Sequence, residues 1–105
     1  WIIKKDYQTN KFYKFLLSPA GIEGPFTQNI GGSMLNLDDS GTYSAFSNNG
    51  NYLVDYIKED VQIFDFDRCT GELSNIKNLS IPFDTLVNWA CTGICFSPSN
   101  RWLYI

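Results

Sequence analysis

The chain has 105 residues, of which 44% are hydrophobic, 18% charged and 16% aromatic, and its net charge is −3. This balance predicts one packed domain and excludes a disordered chain. A nucleic-acid partner is excluded as well, because Lys and Arg do not cluster: Asp6 directly follows the only basic pair, Lys4-Lys5. No apolar run approaches the roughly 20 residues of a membrane-spanning helix, so we expect no membrane span.

The first forty residues contain two short runs that are typical of β-strands. Residues 1–3 and 12–15 are rich in aromatic and β-branched side chains, which favour pleated sheet. A turn with Pro19 and Gly21 follows the second run. We interpret residues 1–40 as a partial unit of a larger β architecture.

Residues 41–80 form a complete unit of four predicted strands joined by tight turns. Asn49-Gly50 is a strong hairpin signal, since both residue types tolerate positive φ. Residues 58–60 make the second turn, and residues 68–71 make the third. The four predicted strands are 42–47, 52–57, 61–67 and 72–79.

The third of these strands is apolar on both faces. Val61 and Ile63 alternate with Phe64 and Phe66, so each face of the strand carries large hydrophobic side chains. A strand of this kind is buried on both faces. We therefore expect the complete unit to lie between two neighbouring sheets.

The sequence repeats with a period of about fifty residues. Residues 45–54 align with 95–104, and each segment has Phe-Ser, a polar turn, and then an aromatic residue followed by Leu. Residues 1–3 align with 52–54, and residues 12–15 align with 63–66, at an offset of fifty-one. Residues 81–105 are then the start of a next unit. Short strands recurring at this period predict an all-β fold of antiparallel four-stranded propeller blades, about two blades of a larger propeller.

Two segments carry a family resemblance. Residues 64–75, from Phe64-Asp65-Phe66-Asp67 to Leu73-Ser74-Asn75, resemble a blade turn of large secreted propeller proteins of Bacteroidetes. Residues 96–105 resemble the next blade opening in the same group and are similar to WD40-like and YVTN-type propellers, in which Phe-Ser-Pro-Asp-Gly-Lys precedes an aromatic-Leu-Tyr strand. Asn48 stands where that pattern has Pro. The resemblance implies a propeller and an extracellular or cell-surface location, and it assigns no catalytic residue.

Neither a metal nor another cofactor is predicted. The chain has three cysteines, Cys69, Cys91 and Cys95, and no His, which leaves no zinc-ligand pattern. We expect the cysteines to be free and buried. Asp67 and Thr70 sit in a loop that weakly resembles a calcium site, but the residues of that pattern are incomplete, so we expect both side chains to bond backbone amides of the turn instead.

Four residues are candidates for ligand binding. Trp89 and Asn88 lie in the predicted loop before the innermost strand of a blade, and Tyr7 and Asp84 share the same predicted face. An aromatic side chain there could stack on a sugar or a peptide, or it could pack between blades. Loops around 24–39 and 82–90 are long for hairpin connections, and long loops on rigid scaffolds commonly carry function.

We interpret the chain as a non-enzymatic binding or scaffold module of a secreted or cell-surface protein. Its partners would be a protein or a glycan, with further blades or self-association covering the exposed blade faces. The alternative is a part of a propeller lactonase or hydrolase whose active site other blades complete. Another alternative is a complete chain that is not a propeller and that oligomerises or forms a small β-sandwich. The chain begins at Trp1 and ends on apolar Leu103-Tyr104-Ile105, which favours a piece of a longer protein.

Overall fold

The computed structural model describes residues 1–33, 43–57, 60–80 and 93–105. These residues form antiparallel β-sheets and no helix. The three sheets contain three, four and two strands in sequence order. The strands are β1 (Ile2–Lys5), β2 (Lys11–Ser18) and β3 (Gly21–Asn29) in the first sheet, β4 (Tyr43–Phe46), β5 (Tyr52–Ile57), β6 (Asp60–Phe66) and β7 (Leu73–Ser80) in the second, and β8 (Cys95–Phe96) and β9 (Leu103–Tyr104) in the third.

The second sheet confirms the four strands predicted for the complete unit. Each strand lies within two residues of its predicted bounds, and the order β4-β5-β6-β7 follows the chain. Asp60 differs from the prediction, because it pairs with Ile57 and belongs to β6 rather than to the turn. Gly50 has the positive φ of 69° that its hairpin requires.

The three sheets pack face to face, with the second sheet in the middle. Phe12 of the first sheet packs with Phe64 and Phe66 in one buried cluster. Val61 on the opposite face of β6 belongs to a second cluster, against which Phe96 and other residues of the third sheet pack. The expectation that β6 is buried on both faces is confirmed. Alternation along β6 thus supplies both cores.

The stacked sheets have two ends, which we name by the turns and connections that lie there. At the hairpin end lie the turns 47–51, 67–72 and 97–101, which join β4 to β5, β6 to β7 and β8 to β9. At the connector end lie the turn 6–10 between β1 and β2, the last residues of β3 and β7, and the first residue of β4. Stacking keeps these ends aligned, since Trp1 contacts the turn of Gly71 while Lys5 contacts β5 near its last residues.

Two hairpin turns fifty residues apart have the same pattern of hydrogen bonds. The backbone N–H of Ser47 donates to Tyr52 O and that of Ser97 donates to Trp102 O, both at 2.9 Å. Each Ser hydroxyl also accepts the backbone N–H of its aromatic partner, at 2.9 Å for Tyr52 and 3.1 Å for Trp102. The two turns then touch, because Asn48 Nδ2 donates to Ser97 O at 2.7 Å. The repeat seen in the sequence is therefore also a repeat of backbone geometry.

The alignment of β2 with β6 needs a correction of two residues. Each strand has one irregularity in its ladder, between Lys14 and Leu16 in β2 and between Ile63 and Asp65 in β6. Phe15 is therefore equivalent to Phe64, an offset of forty-nine rather than fifty-one. The turn before β2 is two residues longer than the turn before β6, and the turn after β2 is two residues shorter, so the shift cancels over the unit.

The stretch 24–29 is part of a strand, contrary to the prediction that a long loop runs from 24 to 39. Gly24 and Pro25 lie inside β3, and residues 26–29 pair with β2. Pro25 lacks a backbone N–H, but β3 is an edge strand, where a missing donor is tolerated. Residues 34–39 of the predicted loop lie outside the described residues.

Polar contacts also hold the first sheet to the second. Gln28 Nε2 donates to Leu73 O at 2.7 Å, and Gln28 Oε1 accepts the Leu73 N–H at 3.0 Å. Trp1 Nε1 donates to Arg68 O at 2.8 Å. The Trp1 ring lies so close to Gly71 that a Cβ on that glycine would stand 2.7 Å from it. These three hydrogen bonds satisfy polar groups at the interface and fix one position of the first sheet on the second.

The cysteine prediction is half correct. Cys69 and Cys95 are free, as expected, but both are exposed rather than buried. Cys69 lies at the tip of the turn between β6 and β7, and Cys95 lies on the face of the third sheet that points away from the second. Cys91 lies outside the described residues.

Candidate functional site

Tyr7 projects from the turn between β1 and β2 at the connector end. Its side chain is 57% exposed. A backbone bond closes the turn, because the Asp6 N–H donates to Lys11 O at 2.8 Å, and the Tyr7 N–H donates to the Asp6 side chain at Oδ1, at 3.1 Å. Gln8 adopts a positive φ of 58°, which reverses the chain. The turn thus presents an aromatic ring to solvent on a hydrogen-bonded backbone.

The same turn is fastened to the end of β3. The Ile30 N–H donates to Asn10 O at 2.9 Å, and Asn29 Nδ2 donates to Asn10 Oδ1 at 3.2 Å. The residues Tyr7, Asp6, Asn10 and Asn29 therefore belong to one hydrogen-bonded region, which we call the Tyr7 surface. An exposed ring on such a turn can stack on a sugar or a peptide, and amide and carboxylate groups of the same region can hydrogen-bond polar groups of a ligand.

The other predicted ligand-binding residues, Trp89, Asn88 and Asp84, lie outside the described residues. Among the predicted site residues the structure therefore places Tyr7. It puts Tyr7 at the end where the chain leaves β7, whose last residue Ser80 precedes the segment that holds those three.

The Asp67 turn uses its polar side chains on its own backbone, as expected. Asp67 Oδ1 accepts the N–H of Cys69 at 2.8 Å and that of Thr70 at 3.3 Å, and Thr70 Oγ1 accepts the Glu72 N–H at 3.3 Å. These bonds favour the charged carboxylate, so the Cys69 amide first and the Thr70 amide next lower the pKa of Asp67 below its ordinary value of 3.8. Asp67 therefore caps the turn, and we assign its carboxylate no catalytic role.

The lowered pKa of Asp67 gives the turn a defined pH dependence. A depressed folded-state pKa means that the stabilisation is present above the unfolded-state value and is lost as pH falls through the folded-state value. In an NMR titration we expect the Cys69 and Thr70 amide shifts to follow a midpoint below 3.8. The Asp67→Asn variant should abolish that transition. A midpoint at or above 3.8 would contradict the capping role.

A cavity at the hairpin end was not predicted from the sequence. It has a volume of about 230 Å³ and is lined by Trp1, Phe46, Gly50, Phe66 and Arg68. Most of its lining side chains are aromatic, with the Phe46 and Phe66 ring centroids 5.0 Å apart. The available signal was the aromatic residue that recurs as Trp1, Tyr52 and Trp102 in the repeat. The cavity is the unfilled end of the packing between the first and second sheets.

A buried ion pair joins the first and second sheets. Lys5 Nζ lies 2.7 Å from Asp55 Oδ2, and the two side chains are 1% and 0% exposed. Ser44 Oγ donates to the other carboxylate oxygen of Asp55 at 2.7 Å, and the ammonium lies 5.4 Å from the Phe12 ring centroid. The ammonium and both carboxylate oxygens of the pair therefore each have a partner. Because solvent and substrate cannot reach it, we assign it to sheet packing rather than to catalysis.

Over the described ranges, no three His, Cys, Asp or Glu side chains group closely enough to hold a metal ion. In the same part of the chain, no helix has the length and apolar character needed to cross a membrane. No family model, curated protein or solved structure matches the chain.

Proposed function

We propose that the chain is a segment of a β-propeller that serves as a non-enzymatic binding or scaffold module of a secreted or cell-surface protein. The observation that carries the proposal is the face-to-face packing of three sheets through the two clusters. Sheets packed in this order, each joined to the next by chain at the same end, are what successive blades require. Residues 1–40, 41–80 and 81–105 are then a partial blade, a complete blade and the start of a third.

The outermost faces support further stacking. Trp102 and Tyr104 of the third sheet are 65% and 57% exposed on the face that points away from the second sheet. The equivalent residues of the second sheet are Tyr52 and Val54, and Val54 is fully buried against the third sheet. Exposed aromatic side chains at equivalent positions favour another sheet as their cover, supplied by further blades or by self-association.

The ligand of the module is a protein or a glycan, and it binds at the connector end. The Tyr7 surface offers a ring and amides on a hydrogen-bonded turn, and β7 ends at Ser80 at the same end, before the segment of the chain that contains Asp84, Asn88 and Trp89. Long connections at one end of stacked sheets are the usual place for binding residues.

A binding array tests this assignment. The full chain is probed on glycan and protein arrays, and Tyr7→Ala is expected to lower the signal of the ligands that bind by about tenfold, since one stacked ring contributes about 1 kcal/mol or more. Trp89→Ala tests the segment that follows β7 in the chain in the same way. Trp102→Ala is the control, because Trp102 follows a turn at the hairpin end and is also exposed. Equal losses for Tyr7→Ala and Trp102→Ala would contradict a site at the connector end.

A further inference from the structure

The outer face of the first sheet repeats the face of the second sheet that packs on it. The ladders match pair by pair: Ile2 pairs with Phe15 as Leu53 pairs with Phe64, and Leu17 pairs with Ile22 as Phe66 pairs with Leu73. We call this side of the first sheet the outer face. Its residues, each with its equivalent in the second sheet, are Ile2 with Leu53, Lys4 with Asp55, Tyr13 with Gln62, Phe15 with Phe64, Leu17 with Phe66, and Ile22 with Leu73.

The two sets differ in what covers them. All six residues of the second sheet are buried, with exposures between 0% and 8%. On the outer face, Ile2, Leu17 and Ile22 are 49%, 60% and 64% exposed. An apolar face that continues an existing interface in the same register is suited to another sheet of the same repeat.

Two lysines lie on this side of β1 and β2. Lys11 stands over the Tyr13 ring, with its ammonium 5.8 Å from the ring centroid. Lys4 occupies the position of Asp55. In the second sheet that position is met by Lys5 of the first sheet, at 2.7 Å and with both side chains buried. At the next interface the equivalents of Lys5 and Asp55 are Tyr56 and Ile105, which carry no charge. The two equivalent positions thus hold Lys and Asp at the first interface, and Tyr and Ile at the second.

We propose that the outer face receives a further sheet of this repeat whose strand equivalent to β1 carries Asp or Glu opposite Lys4. The proposal rests on the propeller assignment, and it adds that the covering sheet carries a negative charge opposite Lys4. A sheet that covers this face buries the Lys4 ammonium as the first sheet buries Asp55, and a buried ammonium without a carboxylate is strongly destabilising. The reversed pair also distinguishes this interface from the other two, so neighbouring sheets identify each other by charge.

A tandem chain tests the proposal. Residues 1–101 of one copy are joined to residues 1–105 of a second, so that Trp1 of the second copy takes the place of the equivalent Trp102. Tyr56 of the first copy then stands opposite Lys4 of the second. Three tandem chains are compared. The first keeps Tyr56 in the first copy, and the other two carry Tyr56→Asp or Tyr56→Lys there. The readout is amide hydrogen exchange of β1 and β2 in the second copy, compared with the same strands of the single chain.

Protection from exchange should be highest with Asp at position 56, lower with Tyr and lowest with Lys. The exchange rates with Asp and with Lys should differ by at least about tenfold. Lys4→Glu in the second copy should reverse Asp and Lys. Asn51→Asp and Asn51→Lys in the first copy are the controls, since Asn51 is exposed at the hairpin end, and they should change nothing. Equal protection with all three residues at position 56 would overturn the charge inference and leave stacking intact. No protection beyond the single chain in any of them would overturn the stacking itself.

Discussion

Asp55→Ala is expected to lower the free energy of unfolding by about 3–5 kcal/mol, because it leaves the Lys5 ammonium buried without a counter-charge. Lys5 Nζ lies 2.7 Å from the carboxylate, and its side chain is 1% exposed. The loss also leaves the Ser44 hydroxyl without its acceptor. Urea titration followed by circular dichroism measures the change.

A double variant separates the cost of a broken pair from the value of the pair. Lys5→Met with Asp55→Leu removes both charges and fills similar space, so its stability should lie near that of the wild-type chain. We therefore expect the single variant to be much less stable than the double variant. If Asp55→Ala unfolds within about 1 kcal/mol of wild type, the two sheets do not enclose Lys5.

Phe64→Ala is expected to cost about 3–5 kcal/mol, as large aromatic truncations in packed cores do. Phe64 is fully buried, and its ring centroid lies 5.6 Å from that of Phe12 in the opposite sheet, in an edge-to-face arrangement. Truncation opens a cavity between the two sheets that neither backbone can close. The same urea titration gives the loss.

Phe15→Ala is the matched control for that truncation. Phe15 is the equivalent residue of the first sheet, at the same ladder irregularity, but it lies on the outer face and is only half-buried. Its loss of stability should therefore be clearly smaller. Equal losses at Phe15 and Phe64 would mean that the packing between the sheets contributes little.

The strands of the second sheet could be predicted because local signals agree there. Asn49-Gly50 fixes the first hairpin and Asp67 with Gly71 marks the third turn, while the apolar alternation between them has the period of a strand. The burial of β6 on both faces followed from Val61 and Ile63 on one side and Phe64 on the other. The family resemblance and the propeller assignment stay predictions.

The offset between β2 and β6 could not be predicted because two changes in turn length compensate. Phe12 and Phe15 match Ile63 and Phe66 in hydrophobicity, so apolar pattern alone accepts an offset of fifty-one. The ladder irregularity that fixes forty-nine is a property of strand pairing, and it involves Phe15, which carries no special sequence signal.

The ion pair was also beyond sequence reasoning. Lys4 and Lys5 are adjacent and look alike, but successive residues of a strand point to opposite faces. Lys5 therefore faces Asp55 while Lys4 faces away, and only the stacking of sheets brings residues fifty positions apart together. Of the candidate site, Tyr7 is placed at the connector end, and Trp89, Asn88 and Asp84 stay predictions.

Nuclear Overhauser contacts between sheets test the central claim, which is that three sheets pack face to face in register. We expect cross-peaks between the Phe12 and Phe64 rings and between the Val54 and Leu103 methyl groups, because each pair shares one buried cluster. Cross-peaks within each sheet, with none between Phe12 and Phe64 or between Val54 and Leu103, would contradict it.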